Sequence, residues 1–137
     1  MMKTFKSVIL FMMIITLCFF LKSCFLDQNN NDDFLIKVDS IHVADTLASA
    51  VPFDIEFYGT VGLNGCANFK VFSQSVTHNK ITIRAWGTYE NFNGTCPAVI
   101  VSLDGKKLTM TIPLAGIYNI KVLEPDNSSL IKTVVVK

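Results

Sequence analysis

Few residues of this chain have the types and spacing that catalysis requires. Asp54 and Glu56 alternate along one predicted strand, so their carboxyls could act together as a general acid and base. Carboxylates on an exposed strand face are more often simply solvated. His42 and His78, the only histidines, fall at a strand end and in a turn, which does not favour a shared metal. The chain has no HExxH, GxSxG or phosphate-binding glycine motif. We therefore expect no enzyme, no metal and no cofactor.

The clearest chemistry lies at the boundary that precedes Cys24. Two early lysines come before an apolar run over residues 8–21, and Asp, Asn and Gln dominate after Cys24. The run is shorter than the roughly 20 residues that a transmembrane helix needs. This pattern is that of a secretory signal. An uncleaved membrane anchor is the alternative.

Leu21, Lys22, Ser23 and Cys24 resemble the lipobox of bacterial lipoproteins, in which a leucine and a small residue precede a cysteine that receives lipid. Cys18 fits less well because no small residue precedes it, and Lys22 departs from the usual small or apolar residue. The resemblance implies a signal peptide over residues 1–23, lipidation at Cys24 and a membrane as partner. Two or more acyl chains would make the attachment stable.

Residues 24–33 predict a flexible linker because they are too polar to bury a core. Phe25 after the cysteine, and the Asn- and Asp-rich run that follows, resemble the sorting signals of outer-membrane lipoproteins of the Bacteroidetes type. The expected location is the outer membrane, with the periplasmic and the surface-exposed side both open.

Charge and cysteine content agree with an exported binding protein. Three of the twelve basic residues and none of the eleven acidic ones precede Cys24, so nine basic and eleven acidic residues remain, a balance of −2. This balance argues against nucleic acid as a partner. Once the chain is exported and Cys24 acylated, Cys66 and Cys96 are expected to form a disulfide. Closing a loop of about 30 residues would stabilise the fold by roughly 3–4 kcal/mol.

Residues 34–137 predict one all-β domain, because apolar residues alternate with polar ones and turn signals recur every 8–12 residues. The pattern favours an antiparallel β-sandwich of seven or eight strands over a small barrel. The predicted strands cover residues 34–43, 52–58, 69–76, 80–89, 98–103, 107–112, 116–123 and 130–137.

The segment with Leu114, Gly116 and Tyr118 resembles the penultimate strand of immunoglobulin-like domains, where the tyrosine hydroxyl bonds back across the preceding turn. Together with Cys66 and Cys96, it is similar to small Bacteroidetes-type lipoproteins with one immunoglobulin-like domain. The resemblance implies this fold and a peripheral disulfide, and no activity.

Trp86, the only tryptophan, suggests a binding face together with Arg84, Tyr89 and Phe92. Aromatic rings of this kind stack on sugars or pack against proteins. The favoured interpretation is that a bulge turns Trp86 inward, toward the disulfide, because core tryptophans are common in sandwiches; strand parity favours the exposed position.

Ser40 and Thr46 lie in Asp-Ser/Thr-apolar triplets that resemble the O-glycosylation acceptors of the same bacteria, and Thr46, in a predicted connection, is the more accessible. The function expected overall is a non-enzymatic, lipid-anchored interaction module for a protein or glycan ligand. A structural accessory subunit of an outer-membrane assembly and, less favoured, an envelope hydrolase are the alternatives. The oligomeric state stays open.

Overall fold

The structure is a computed structural model that describes residues 32–90 and 94–137. These ranges contain no helix, and therefore none with the length and hydropathy needed to span a membrane. They form eleven strands: β1 (Asp32–Leu35), β2 (Ser40–His42), β3 (Thr46–Leu47), β4 (Pro52–Tyr58), β5 (Thr60–Gly62), β6 (Ala67–Thr77), β7 (Lys80–Tyr89), β8 (Val101–Ser102), β9 (Lys106–Thr111), β10 (Gly116–Leu123) and β11 (Ser129–Val136).

The strands form a six-stranded sheet, a three-stranded sheet and a two-stranded ribbon. In the larger sheet β6 pairs with one side of β7, and β1 and β10 share the other side; β11 and β3 follow β10. In the smaller sheet β4 lies between β2 and β9. The ribbon joins β5 to β8.

One hydrophobic core fills the space between the two main sheets. Ile55 and Phe57 of β4 are fully buried, as are Ile83 of β7, Ile120 of β10 and Val134 of β11. Alternation along each strand places these residues on the inward faces. The prediction of an all-β domain is confirmed, and two sheets around one core are consistent with a β-sandwich.

The prediction that all strands pair antiparallel is wrong. β7 and β10 are parallel, with Lys80 opposite Asn119, and so are β3 and β11, with Thr46 opposite Val135. Parallel neighbours require a crossover connection. After β7 the chain crosses to the smaller sheet, forms β9 and returns, which brings β10 in along the direction of β7.

The single strand predicted over residues 34–43 is two strands in different sheets. β1 pairs with β7, and β2 pairs with β4. Between them the chain crosses the core, where Ile36 and Val38 are buried. The Val38 N–H donates to Glu124 Oε2 at 2.9 Å. A buried backbone donor needs a partner, and the Glu124 carboxylate supplies one where strand pairing is interrupted.

Several element boundaries also differ from those predicted. β1 begins at Asp32, inside the predicted linker, because its residues pair with β7 and because Lys70 Nζ lies 2.6 Å from Asp33 Oδ2. β3 occupies part of a predicted connection, and β5 part of a predicted bend. Only Val101 and Ser102 of the predicted strand over residues 98–103 form a strand, because β5 offers them a short partner.

Candidate binding face

Trp86 lies on the surface of the larger sheet that faces away from the core. Along β7, Ile83 and Ala85 are fully buried, whereas Arg84 is exposed and Trp86 half-buried. The indole Nε1–H of Trp86 donates to Ser73 Oγ on β6 at 2.9 Å. The interpretation that a bulge turns Trp86 inward is wrong: the bulge lies in β6, opposite Trp86, and Trp86 keeps the outward position that strand alternation gives it.

The outward side of this sheet, here called the larger outer face, combines aliphatic and basic side chains. Alternation directs Val71, Lys80, Arg84, Trp86, Ile117, Lys121 and Ile131 to it. Ile117 is 60% exposed and Ile131 62%. Outward positions of β6, β7, β10 and β11 hold no Asp or Glu. Asp33 of β1, opposite Thr88, is the acidic residue at an outward position of this sheet among those described, and it pairs with Lys70. Among the described residues Arg84 and Lys121 form no ion pair. The face is therefore cationic and partly apolar.

The outward side of the three-stranded sheet, here called the smaller outer face, has its charges paired. Lys107 Nζ lies 3.2 Å from Glu56 Oε1 and 3.6 Å from Asp54 Oδ2. Tyr58 donates its hydroxyl proton to Glu56 at 3.1 Å, and His42 Nδ1 lies 3.7 Å from the same carboxylate. The two carboxylates share a face, as the alternation predicted.

These contacts keep both carboxyls ionised near neutral pH. A hydrogen bond from Thr109 lowers the pKa of Asp54, with a smaller contribution from Lys107. Hydrogen bonds from Lys107 and Tyr58 lower the pKa of Glu56. An acid–base pair needs one group that keeps its proton at working pH. Both pKa shifts go the opposite way, so Asp54 and Glu56 are poorly suited to supply a general acid.

Tyr89 does not belong to the larger outer face, although the sequence grouped it with Trp86. Being an odd number of positions from Trp86, its side chain points to the opposite side of β7. Its hydroxyl lies 3.1 Å from Cys96 Sγ and 3.5 Å from Asn64 Nδ2. The predicted disulfide between Cys66 and Cys96 is confirmed, with Cα atoms 5.3 Å apart. Phe92 lies outside the described residues.

The remaining predicted sites are spread over the molecule. Ser40 is exposed in β2; Thr46 is exposed too but lies in β3, not in a connection as predicted, because it pairs with β11. His42 lies on the smaller outer face and His78 at the turn between β6 and β7. The described ranges contain no group of three or more His, Cys, Asp or Glu that could hold a metal. Cys24 lies outside the described residues.

The aliphatic part of the larger outer face was missed from the sequence. Ile117 and Ile131 occupy positions that alternate with buried residues of the same strands, Tyr118 and Val134 among them. Apolar residues at both parities of a strand are the signal that could have revealed them. That signal alone also fits a strand buried on both sides.

The chain matches no protein-family model, no curated protein and no solved structure. The geometry of the two outer faces therefore carries the functional argument.

Proposed function

We propose that this chain is a lipid-anchored, non-enzymatic binding module of the cell envelope that holds a protein or glycan ligand on its larger outer face. The carrying observation is the contrast between the two outer faces. On the smaller outer face Lys107 is paired with Asp54 and Glu56, whereas Arg84 and Lys121 have no acidic partner among the described residues. Arg84 lies two positions from Trp86 on the same face, and Lys121 lies opposite the exposed Ile131. Exposed apolar groups next to unpaired charge are typical of an interaction site.

The chemistry of the face favours an anionic ligand. Arg84 presents a guanidinium that can bind a carboxylate or phosphate through two hydrogen bonds. Trp86 is held by Ser73, so its ring needs little further ordering when a sugar ring or an apolar side chain packs on it. An acidic sugar or an acidic protein surface supplies both features.

The anchor is part of the same proposal and rests on the lipobox resemblance at Cys24. β1 begins eight residues later at Asp32. Eight extended residues reach about 28 Å, which would leave the domain close to the outer membrane and free to turn. The intact mass of protein extracted from native membranes tests this. Residues 24–137 plus acyl chains are expected, and an unlipidated full-length mass would contradict the anchor.

An immunoglobulin-like sandwich is the finer description of the fold that we propose. Tyr118 supports it: the side chain is buried, and its hydroxyl donates to the carbonyl oxygen of Leu114 at 3.1 Å. A tyrosine corner has this form. The parallel pairing of β7 with β10 departs from two purely antiparallel sheets.

Binding by matched variants tests the functional proposal. Wild type, Arg84→Ala and Lys107→Ala would be measured against an array of acidic and neutral glycans and against solubilised envelope proteins. Both substitutions remove one exposed cation, but on different outer faces. Arg84→Ala should weaken binding about tenfold or more, because a hydrogen bond to a charged group is lost. Equal affinity of the two variants, or a larger loss in Lys107→Ala, would contradict the proposal.

A further inference from the structure

The free side of β6 is an open sheet edge. β6 has 11 residues, more than any other described strand, and it pairs only with β7. Within the described ranges no strand pairs with its other side. Alternate residues of an antiparallel strand direct their N–H and C=O groups away from the paired neighbour. Along residues 71–77 this side therefore offers a row of backbone donors and acceptors.

This edge lacks the features that usually protect a sheet from edge-to-edge pairing. Short strands, lysines, prolines and bulges are the common protections. β2 and β3 are very short, and β9 begins with two lysines. In β6 the bulge and Lys70 lie at one end only. The segment from Val71 to Thr77 contains no charged residue and no proline.

Exposed apolar side chains lie beside the same edge. Val76 occupies an inward position opposite Ile81, yet it is 56% exposed because the smaller sheet does not cover the end of β6. Leu114 is 70% exposed. With Ile112 and Pro113 they line a groove of about 450 Å³. A strand added to β6 would place alternate side chains over this groove.

We propose that β6 pairs antiparallel with β6 of a second copy of this chain, across a two-fold axis at Gln74, so that the two larger sheets become one. Gln74 then faces its own copy, Phe72 faces Val76, and Ser73 faces Ser75. This register pairs all seven uncharged residues.

Charge and shape favour a second copy as the occupant. In the antiparallel pair the two Lys70 residues lie at the two far ends of the seam, each already paired with Asp33 of its own chain, so the two lysines do not oppose each other. Phe72 of the second copy, whose ring packs on Phe57 and Phe69 of its own core, would lie opposite Val76 at the edge of the groove. Closed two-fold dimers are also the commonest symmetric assembly. The dimer does not depend on the binding proposed for the larger outer face.

Disulfide trapping in native membranes tests the register. In full-length Gln74→Cys the two introduced cysteines would face each other with Cβ atoms about 5 Å apart, so mild oxidation should produce a dimer that reduction reverses. Ser75→Cys is the matched control, because its two copies are offset by two residues and lie beyond the about 7 Å that a disulfide can bridge. Wild type shows how much cross-linked dimer its own cysteines form under the same oxidation.

A second variant tests association without oxidation. Gln74→Lys places two like charges opposite each other at the axis and should raise the dimer dissociation constant about tenfold, as measured by sedimentation of the membrane-extracted protein. The fold should persist, because Gln74 is exposed. Equal trapping of Ser75→Cys and Gln74→Cys would overturn the proposal. So would a monomeric wild type, or trapping of Gln74→Cys only to a chain of different mass.

Discussion

The two outer faces are built from the same kind of strand, yet they differ in how far their charges are paired. On the smaller outer face Lys107 lies between Asp54 and Glu56, and Tyr58 and His42 complete the network. On the larger outer face Lys70 pairs with Asp33, but Arg84 and Lys121 form no ion pair among the described residues, and the exposed Ile131 lies opposite Lys121. A folded domain gains nothing from leaving apolar and charged groups unpaired in water. This contrast is the basis of the proposal that the larger outer face binds a ligand.

The difference also extends to how each sheet is held together. The larger sheet carries the disulfide, at the start of β6, and its two parallel pairings connect strands far apart in the sequence. The smaller sheet has three strands joined antiparallel. The stability of the larger sheet should therefore depend more strongly on covalent cross-links such as the disulfide.

Loss of the disulfide should have the largest effect and would sharpen this contrast. Replacing both Cys66 and Cys96 with alanine frees a loop with a sequence separation of 30. The free energy of unfolding should fall by roughly 3–4 kcal/mol, as measured by denaturant unfolding. Oxidised and reduced wild type provide the control. A loss below about 1 kcal/mol would mean that pairing with β7 alone holds β6 in place.

The pH dependence of stability should report on Glu124, a buried carboxyl that accepts the Val38 N–H where the chain passes from the larger sheet to the smaller one. Burial raises the pKa of Glu124, which the Val38 N–H only partly offsets; Lys37, Asp39 and Asp126 act more weakly. Between the ordinary glutamate pKa and this raised value, the folded state holds more protons than the unfolded state. The free energy of unfolding therefore falls as pH rises through that window.

Glu124→Gln keeps an acceptor for the Val38 N–H but has no charge to bury. Relative to wild type, its free energy of unfolding should improve as pH rises above the ordinary glutamate pKa of about 4.3 and should level off once pH passes the raised pKa of Glu124. Unfolding curves of both proteins across this range provide the measurement. Parallel pH profiles would contradict the role of the Glu124 charge.

A smaller change in stability is expected from a substitution at Ala50, where the chain passes from β3 in the larger sheet to β4 in the smaller one. Ala50 has φ 59°, in the left-handed region, while its N–H donates to the Ile112 carbonyl at 2.8 Å. Ala50→Gly removes the steric conflict of its Cβ and should raise the free energy of unfolding by about 0.5–1 kcal/mol. Ala48, exposed and without positive φ, is the matched control, and Ala48→Gly should destabilise. Similar effects of the two changes would refute the strain at Ala50.

The smallest effect is expected from removing Lys107, the cation that pairs with the two carboxylates of the smaller outer face. In Lys107→Met the pKa of Glu56 should rise more than that of Asp54, because Lys107 is the main cause of the first shift and Thr109 of the second. Carboxyl carbon chemical shifts followed by NMR against pH give both values. Equal rises in the two pKa values, or a larger rise at Asp54, would show that Lys107 does not act mainly on Glu56.

The sequence predicts those parts of the fold that depend on local pattern. Alternation along β4 and β7 follows from a period of two, and the expectation of export led to the disulfide. The same period gives the outward side of Trp86, but the frequency of core tryptophans in sandwiches outweighed it. The sheet to which a strand belongs is not local. The crossing at Val38 depends on Glu124, which is 86 positions away in the chain, and the parallel pairing depends on the path through β9. The prediction that Tyr89 shares a face with Trp86 is wrong: it rested on their closeness in sequence, although an odd number of positions separates them.

Hydroxyl-radical footprinting in native membranes tests the central claim most directly. Trp86 reports on the larger outer face and Tyr58, 39% exposed, on the smaller one; both rings can be followed in one digest of the full chain. If the larger outer face holds a ligand, labelling of Trp86 should be lower in membranes than in purified protein, while labelling of Tyr58 stays unchanged. Protection of Tyr58 with Trp86 unchanged would assign binding to the wrong face and contradict the account.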